Sequence, residues 1–179
     1  EIGRGTSTYD GISIAWAIIE PGTPFIPNWH IDAICDHLEA VTRGEIRNLL
    51  INIPPRCMKS ILVGVCWPTW DWIRRPERRW LTSSYAQTLS TRDSLKSRRI
   101  IESPWYQRNW GDRYRLTSDQ NQKTRYENNK TGYRIATSVG GAATGGGGAT
   151  GSARFSVMSR GSWSDFEIWS SKLRTCSML

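Results

Sequence analysis

Residues 46 to 67 restrict the fold of this chain more than any other stretch. The run "IRNLLINI", residues 46–53, is short, apolar and rich in β-branched side chains, which is typical of a strand buried in a parallel sheet. It ends at Pro54-Pro55, and from Ser60 the chain continues as "SILVGVCWPTWDWIRR", which is apolar on most sides and typical of a buried helix. A strand, a tight turn and a helix in this order predict a layered α/β fold.

The neighbouring segments continue this alternation. Residues 31, 34, 38 and 41 are apolar at helical spacing, and Gly44 is a natural stop for that helix. Further on, "RRWLTSSY" predicts a strand, "AQTLSTRDSLKSRRIIES" a second amphipathic helix, and "TRYENNKTGYRIATSV" a hairpin that turns at "NNKTG". Pro68 is expected to bend the helix that contains it, and "ISIAWAII" predicts an edge helix or strand.

Composition changes divide the chain into three parts. Residues 1–24 predict an N-terminal arm that ends in the breaker "EPGTP", residues 25–148 predict the folded domain, and residues 149–179 predict an aberrant, unstructured tail without periodicity. The chain begins with Glu1 instead of methionine, which predicts a piece of a longer protein.

Charge and cysteine content narrow the class of protein. The formal net charge is +8 and the pI is about 9.7, so a polyanion is a better expected partner than an acidic protein surface. The four cysteines form no CxxC pair, which predicts thiols in a reducing compartment. A metal site at His30, Cys35 and His37 lacks a second ligand pair, and no apolar run approaches the roughly 20 residues of a membrane span.

The turn itself carries the candidate chemistry. Lys59-Ser60 stands where a Walker A loop, GxxxxGK[ST], places its lysine and hydroxyl, after a strand and at a helix start. Both glycines of that pattern are missing, since Ile53 and Met58 take their positions. The pattern alone fits a surface lysine at a helix start better, but Arg56 adds a charge suited to a γ-phosphate.

The wider context resembles one family. The segment "INIPPRCMKSILVGVCWPTW" is similar to the deviant Walker A segment of the large subunit of tailed-phage terminases, where one branch reads PPRxxKS. Upstream "EPGTPFIPNWHIDAICDHLEAVTRGEIRNLLINIPP" is also similar to that family. So are "SSYAQTLSTRDSLKSRRIIESPWYQRNWG" and "GYRIATSVGGAATGGGG" downstream. The resemblance extends over residues 12–148.

This resemblance implies a fold and a function. The expected fold is an incomplete P-loop NTPase, a three-layer sandwich with a mainly parallel sheet. The implied function is the ATPase motor of a terminase, which binds ATP and Mg²⁺ and drives double-stranded DNA into proheads, in a parent protein that is also an endonuclease. The implied partners are the terminase small subunit, the portal protein and further copies of the chain, with no membrane. The implied location is the host cell cytoplasm, in a phage or prophage setting.

The resemblance also assigns residues. Lys59 is expected at the β- and γ-phosphates, Ser60 at Mg²⁺, and Arg56 at the γ-phosphate, with Arg56 and Lys59 as the catalytic pair. The expected ATP-binding loop comprises Pro54, Pro55, Arg56, Cys57, Met58, Lys59 and Ser60.

Two further segments keep two interpretations each. Trp29 and His30 fit either adenine contacts or packing against the edge of the sheet. Thr82 to Tyr85 fit either the border of a nucleotide cleft or the core.

The expected acidic partner of the loop is absent from the sequence. A Walker B strand ends in two carboxylates, but after "ATGGGG" no carboxylate occurs before Asp165. The residues Arg154 to Arg160 can be encoded so that a shifted frame reads Ile-Leu-Cys-Asp-Glu-Pro. This suggests a frameshift near Gly146 to Gly151. We therefore expect weak binding of ATP with Mg²⁺ and little hydrolysis.

Two alternatives remain at this level. One is another P-loop ATPase, such as a helicase-like protein, which shares the strand, loop and helix. The other is a basic nucleic-acid-binding module, supported by "RRPERRW", although a solvated basic face explains that run as well.

Overall fold

The structure, a computed structural model, describes residues 8–117 and 122–138. The helices are α1 (Thr8–Ile19), α2 (Trp29–Arg43), α3 (Lys59–Ile61), α4 (Trp67–Arg74), α5 (Gln87–Glu102) and α6 (Pro104–Trp110). A π-helical segment, Leu62–Cys66, joins α3 to α4 without a break. The strands are β1 (Trp80–Ser84), β2 (Arg125–Glu127) and β3 (Tyr133–Ser138).

The three strands form one small mixed sheet in the order β1-β3-β2. β1 and β3 are parallel, with Trp80 opposite Arg134 and Ser84 opposite Ser138, whereas β2 is antiparallel to β3. The expected three-layer P-loop sandwich with a mainly parallel sheet is therefore wrong for the described residues. The hairpin contributes an antiparallel strand, and no described strand precedes the turn at Pro54.

The predicted strand at residues 46–53 is the main error behind that expectation. These residues form an irregular segment without strand pairing. Ile46, Leu49, Ile51 and Ile53 are partly buried against the core, but Leu50 is 61% exposed. A strand inside a parallel sheet has both faces covered. Here only one face is covered, so the apolar run rests on the core instead of entering the sheet.

The helix predicted from the apolar spacing is α2, and it forms as expected. Its buried apolar residues include Ile31, Ile34, Leu38 and Val41, and Gly44 caps its C-terminus at φ 89°. A left-handed backbone is favourable at glycine because glycine has no Cβ. The indole N–H of Trp67 donates to the Thr42 hydroxyl at 2.8 Å and so fixes α2 against the start of α4.

Large aromatic side chains fill the core between the helices and the sheet. Trp67 and Trp80 contact edge to face with ring centroids 5.0 Å apart, and the Trp72 ring contacts Tyr114 and Tyr126 in the same manner. Edge-to-face pairs place a ring edge against the negative face of its neighbour. Several of the tryptophans in the sequence are therefore core residues.

Two further predicted segments, the first apolar run and the second amphipathic pattern, are helices in the structure. The first apolar run is helical, as α1, and the second amphipathic helix is α5. The tail predicted at residues 149–179 and the glycine run before it lie outside the described residues.

Candidate phosphate-binding loop

The turn at residues 54–60 has left-handed backbone angles at two residues that are not glycine. Arg56 has φ 69° and Met58 has φ 58° with ψ 3°, and both values lie in the left-handed region. This region costs a residue with a Cβ about 1–2 kcal/mol. Met58 occupies the second glycine position of the Walker A pattern. The loop therefore adopts a backbone that favours glycine while having none.

Alternating right- and left-handed residues turn successive backbone N–H groups toward one side and form an anion-binding concavity. Here the left-handed residues stand directly before the helical turn that begins at Lys59. Pro54 and Pro55 contribute no N–H donors, so the amides that can face an anion belong to residues 56–60. The Met58 carbonyl accepts from the Leu62 amide at 2.9 Å, which fixes the loop to the helical segment.

The side chains of the loop remain accessible to different degrees. Arg56 is exposed, and Cys57, Lys59 and Ser60 are half-buried. The other described thiols differ, since Cys35 and Cys66 are buried, and burial raises the pKa of each to about 12. Cys57 is thus the accessible thiol of the described residues, and it lies inside the candidate site.

The helical segment behind the loop is anchored at Pro68. In an α-helix the amide of residue 68 would donate to the carbonyl of residue 64, but proline has no N–H. The buried guanidinium of Arg134 takes its place and donates to the Gly64 carbonyl at 2.5 Å. The Ser97 hydroxyl likewise donates to the Val65 carbonyl at 3.2 Å. The π-helical segment is therefore held by side chains from β3 and α5.

Arg134 is the functional candidate that the sequence analysis missed. It is fully buried on β3, and its Nη1 donates to the Ser97 hydroxyl. Its Nε has no hydrogen-bond partner among the described residues. Burial raises the pKa of Tyr126, and the nearby Arg134 opposes this shift. The signal in the sequence was Pro68, because a proline inside an apolar helix frees a carbonyl that needs another donor.

Trp29 and His30 lie at the start of α2. Their rings contact edge to face with centroids 6.2 Å apart, and Trp29 is 78% exposed. Packing of Trp29 against the sheet edge is therefore wrong. The role of this pair at an adenine stays a prediction.

The segment from Thr82 to Tyr85 divides between its two interpretations. Thr82 is buried and its hydroxyl donates to the Ile135 carbonyl at 3.2 Å, whereas Tyr85 is 59% exposed. Ser84 is buried, and its hydroxyl has no partner within residues 8–117 and 122–138. The inner residues thus belong to the core, and a place of Tyr85 at a cleft stays a prediction.

The described residues contain neither a metal-binding cluster nor a membrane-spanning helix. No group of three or more His, Cys, Asp or Glu side chains that could hold a metal ion occurs within them. Among the same residues, no helix is both long enough and apolar enough to cross a bilayer.

Several known proteins that are similar to this chain carry the name DNA mismatch repair protein MutS. The protein of Halobacterium salinarum is 51% identical over 54 residues, which is 26% of this chain and 6% of the relative. That of Cytophaga hutchinsonii is 59% identical over 56 residues, with the same shares. That of Bacteroides fragilis is 90% identical over 20 residues, which is 11% of this chain and 2% of the relative. The chain thus spans about 6% of the length of the curated relatives it matches first.

The relatives found are mismatch-repair proteins, not terminases. This finding overturns the expected terminase motor, the packaging function and the small-subunit and portal partners. It also leaves the phage or prophage setting without support, since the relatives come from cellular organisms. No protein-family model matches the chain, and no solved structure matches it. The share of each relative is too small to assign the chain to their family.

Proposed function

We propose that residues 54–60 bind the phosphates of a nucleoside triphosphate, ATP with Mg²⁺, in a protein that acts in DNA metabolism. The observation that carries the proposal is the left-handed backbone of Arg56 and Met58 directly before the helical turn at Lys59. Two strained residues two positions apart in a solvent-accessible loop are costly to maintain, and such strain concentrates at ligand sites.

The residues of the loop suit the phosphates in type and order. Amides of residues 56–60 provide donors, and the Lys59 ammonium provides the charge expected at β- and γ-phosphates. The Arg56 guanidinium is exposed and can bind phosphate oxygens in a bidentate manner. The Ser60 hydroxyl would be the Mg²⁺ ligand, and Mg²⁺ would neutralise phosphate charge there.

The setting in DNA metabolism rests on the relatives. Each is named a DNA mismatch repair protein, and this supports a DNA-associated role for a chain with net charge +8. We expect nucleotide binding with little hydrolysis, because the sequence has no carboxylate between the glycine run "GGGG" and Asp165.

The loop contains its own reporter, the thiol of Cys57. The experiment uses the full chain with Cys176→Ser and measures alkylation of Cys57 by N-ethylmaleimide, by mass spectrometry, with and without ATP and Mg²⁺. Protection follows occupancy, so ATP at ten times its Kd should slow the labelling about tenfold. Cys35 and Cys66 should stay unlabelled because their thiols are buried and protonated.

Two lysine variants make the test specific. Lys59→Met should lose the protection of Cys57, whereas Lys123→Met, which removes the same charge from an exposed site outside the loop, should keep it. Equal labelling with and without ATP would contradict the proposal, as would full protection in Lys59→Met. Release of inorganic phosphate at a normal ATPase rate would overturn the expectation of weak hydrolysis.

A further inference from the structure

The opposite end of the loop's helical segment is strongly basic. α4 ends at Arg74, Arg75 follows, and both side chains are exposed. The Arg113 guanidinium reaches back to this end and donates to the Ile73 carbonyl at 3.1 Å. A cation is favourable there because the unpaired carbonyls of a helix C-terminus carry partial negative charge.

The sheet adds two more guanidinium groups beside this helix end. Arg79 precedes β1 and Arg125 begins β2, and each lies 5.4 Å from the centroid of the Tyr133 ring at the start of β3. Arg74 lies 4.7 Å from the centroid of Trp70 in a similar contact. Such cation–π contacts hold a long side chain in place while its N–H groups remain available.

Hydrogen bonds between asparagine side chains and backbone groups bring these segments together. The side-chain amide of Asn128 donates to the Pro76 carbonyl at 2.7 Å, between Arg75 and Arg79 in the chain. The Arg115 backbone amide donates to the Asn129 side chain at 3.0 Å. The end of α4, the start of β1, residues 113–115 and the hairpin turn therefore meet at one end of the fold. We name this the basic surface, and its arginines are Arg74, Arg75, Arg79, Arg113, Arg115 and Arg125.

Acidic side chains are fewer on these segments. Glu77 and Asp112 are exposed, and Glu127 lies 3.8 Å from Arg125. The carboxylate of Asp71 is buried and forms an ion pair with the guanidinium of Arg78, with Oδ1 and Nη1 2.9 Å apart. Neither member of this pair therefore contributes charge to the outer surface. The basic surface therefore retains a net positive charge.

We propose that the basic surface binds the phosphate backbone of nucleic acid. The six arginines have planar guanidinium groups that bind phosphate oxygens in a bidentate manner, and the exposed Lys130 of the hairpin turn adds a further positive charge. The arginines that rest on Trp70 and Tyr133 lose little side-chain freedom on binding. Contacts of this kind are independent of base sequence and release counterions, so binding should depend steeply on salt.

This inference does not rest on the nucleotide loop. The helical segment from Lys59 to Arg74 separates the two places by roughly 20 Å, from its rise per residue. A failure of one proposal therefore leaves the other standing, and the Lys59→Met variant distinguishes them because it should bind nucleic acid like the wild type.

The test measures the binding of the full chain to a fluorescein-labelled duplex of 25 base pairs by anisotropy, between 50 and 300 mM KCl. Arg79→Gln with Arg125→Gln should weaken binding roughly tenfold at 100 mM and lower the salt slope by about 2. The matched control, Arg43→Gln with Arg47→Gln, removes the same charge elsewhere and should change the Kd by less than about twofold. Arg79→Lys with Arg125→Lys keeps the charge and should retain most of the affinity.

Several outcomes overturn the inference. The first is the absence of measurable duplex binding at 50 mM KCl, and the second is an equal loss in the control pair. The third is displacement of the DNA by poly-L-glutamate as effectively as by unlabelled DNA at equal charge, which would favour an acidic protein partner. A thermal melt of each variant shows that it folds, and retained binding by the lysine pair excludes a loss of structure as the cause.

Discussion

Two short turns of this molecule, the candidate loop at residues 54–60 and the hairpin turn at residues 128–132, place non-glycine residues in the left-handed region. The loop does so at Arg56 and Met58, and the hairpin at Thr131 with φ 66°. The backbone strain is of the same kind in both. The two turns differ in what offsets it.

In the hairpin the strain is offset within the protein. The Asn128 side chain is buried, accepts from the amides of Lys130 and Gly132 at 2.9 and 3.1 Å, and donates to the Pro76 carbonyl. Each such bond at a buried site contributes about 1 kcal/mol. The turn is therefore complete without any partner.

In the loop the left-handed residues lead directly into a helical segment. Residues 54–58 are tied to the helical segment by the bond from the Leu62 amide to the Met58 carbonyl, and Pro54, Pro55 and Arg56 are exposed. Left-handed residues directly before a helical turn can present backbone amides to an anion, whereas in the hairpin Asn128 already accepts from the turn amides of Lys130 and Gly132. This contrast is why the nucleotide proposal concerns only the loop.

The largest expected change in stability tests how tightly the hairpin turn packs against Pro76. A Cβ added at Gly132 would lie 1.9 Å from the Pro76 carbonyl oxygen, which belongs to the backbone and cannot rotate away. Gly132→Ala should lower the free energy of unfolding by about 3 kcal/mol or more. Urea denaturation followed by circular dichroism measures this, and a wild-type midpoint would show that the turn is looser than described.

The next effect depends on pH and concerns Asp71, whose carboxylate pairs with Arg78, two residues after Pro76, at 2.9 Å. Burial raises the pKa of Asp71 to about 6, and Arg78 opposes the shift only in part. Because the folded state holds this proton more tightly than the unfolded state, its contribution is complete below about pH 4 and is lost as the pH rises to about 6. The loss should reach no more than about 3 kcal/mol.

Asp71→Asn provides the comparison for that measurement. Its free energy of unfolding should vary less between pH 4 and 6.5 than that of the wild type, because the titrating group is gone. Identical pH profiles of the two proteins would show that Asp71 does not titrate in this range.

A smaller change in stability is expected at Asn128, whose side-chain hydrogen bonds offset the strain of the hairpin turn. Asn128→Ala removes the acceptor of two turn amides and the donor to Pro76, and should lower the free energy of unfolding by about 2 kcal/mol. Chemical denaturation measures the change. Nucleotide protection of Cys57 should be unaffected, and its loss would mean that the two turns are coupled.

The smallest effect compares the two strains directly. Arg56 and Thr131 are both exposed, so Arg56→Gly and Thr131→Gly relieve left-handed strain without loss of packing. Each should raise the free energy of unfolding by up to about 1 kcal/mol. Only Arg56→Gly should weaken the protection of Cys57 by ATP. Equal protection in both variants would remove Arg56 from the proposed site.

Local patterns were sufficient where local forces decide the structure. The spacing of Ile31, Ile34 and Leu38 predicted the buried face of α2, and "NNKTG" predicted the turn between β2 and β3. Residues 46–53 show the limit. Their apolar run indicates burial, but whether a partner strand lies beside it depends on distant parts of the chain.

The site was predictable in position but not in geometry. Lys59 and Ser60 do begin a helical segment, as the motif indicates, yet a left-handed φ at Arg56 and Met58 contradicts the preferences of these residue types. Arg134 was missed for a related reason. An arginine in a hairpin strand normally faces water, and its burial depends on a carbonyl that Pro68 leaves without a donor.

The parallel pairing of β1 with β3 has a consequence for how the chain reaches this structure. Trp80 pairs with Arg134, so the sheet cannot begin to assemble until the intervening helices and hairpin have emerged from the ribosome. Pairing across such a long sequence separation requires closing a large loop, which slows folding compared with helical packing. Until β3 pairs with β1, the Gly64 carbonyl lacks its Arg134 donor. The helical segment behind the loop is therefore incompletely hydrogen-bonded at that stage of folding.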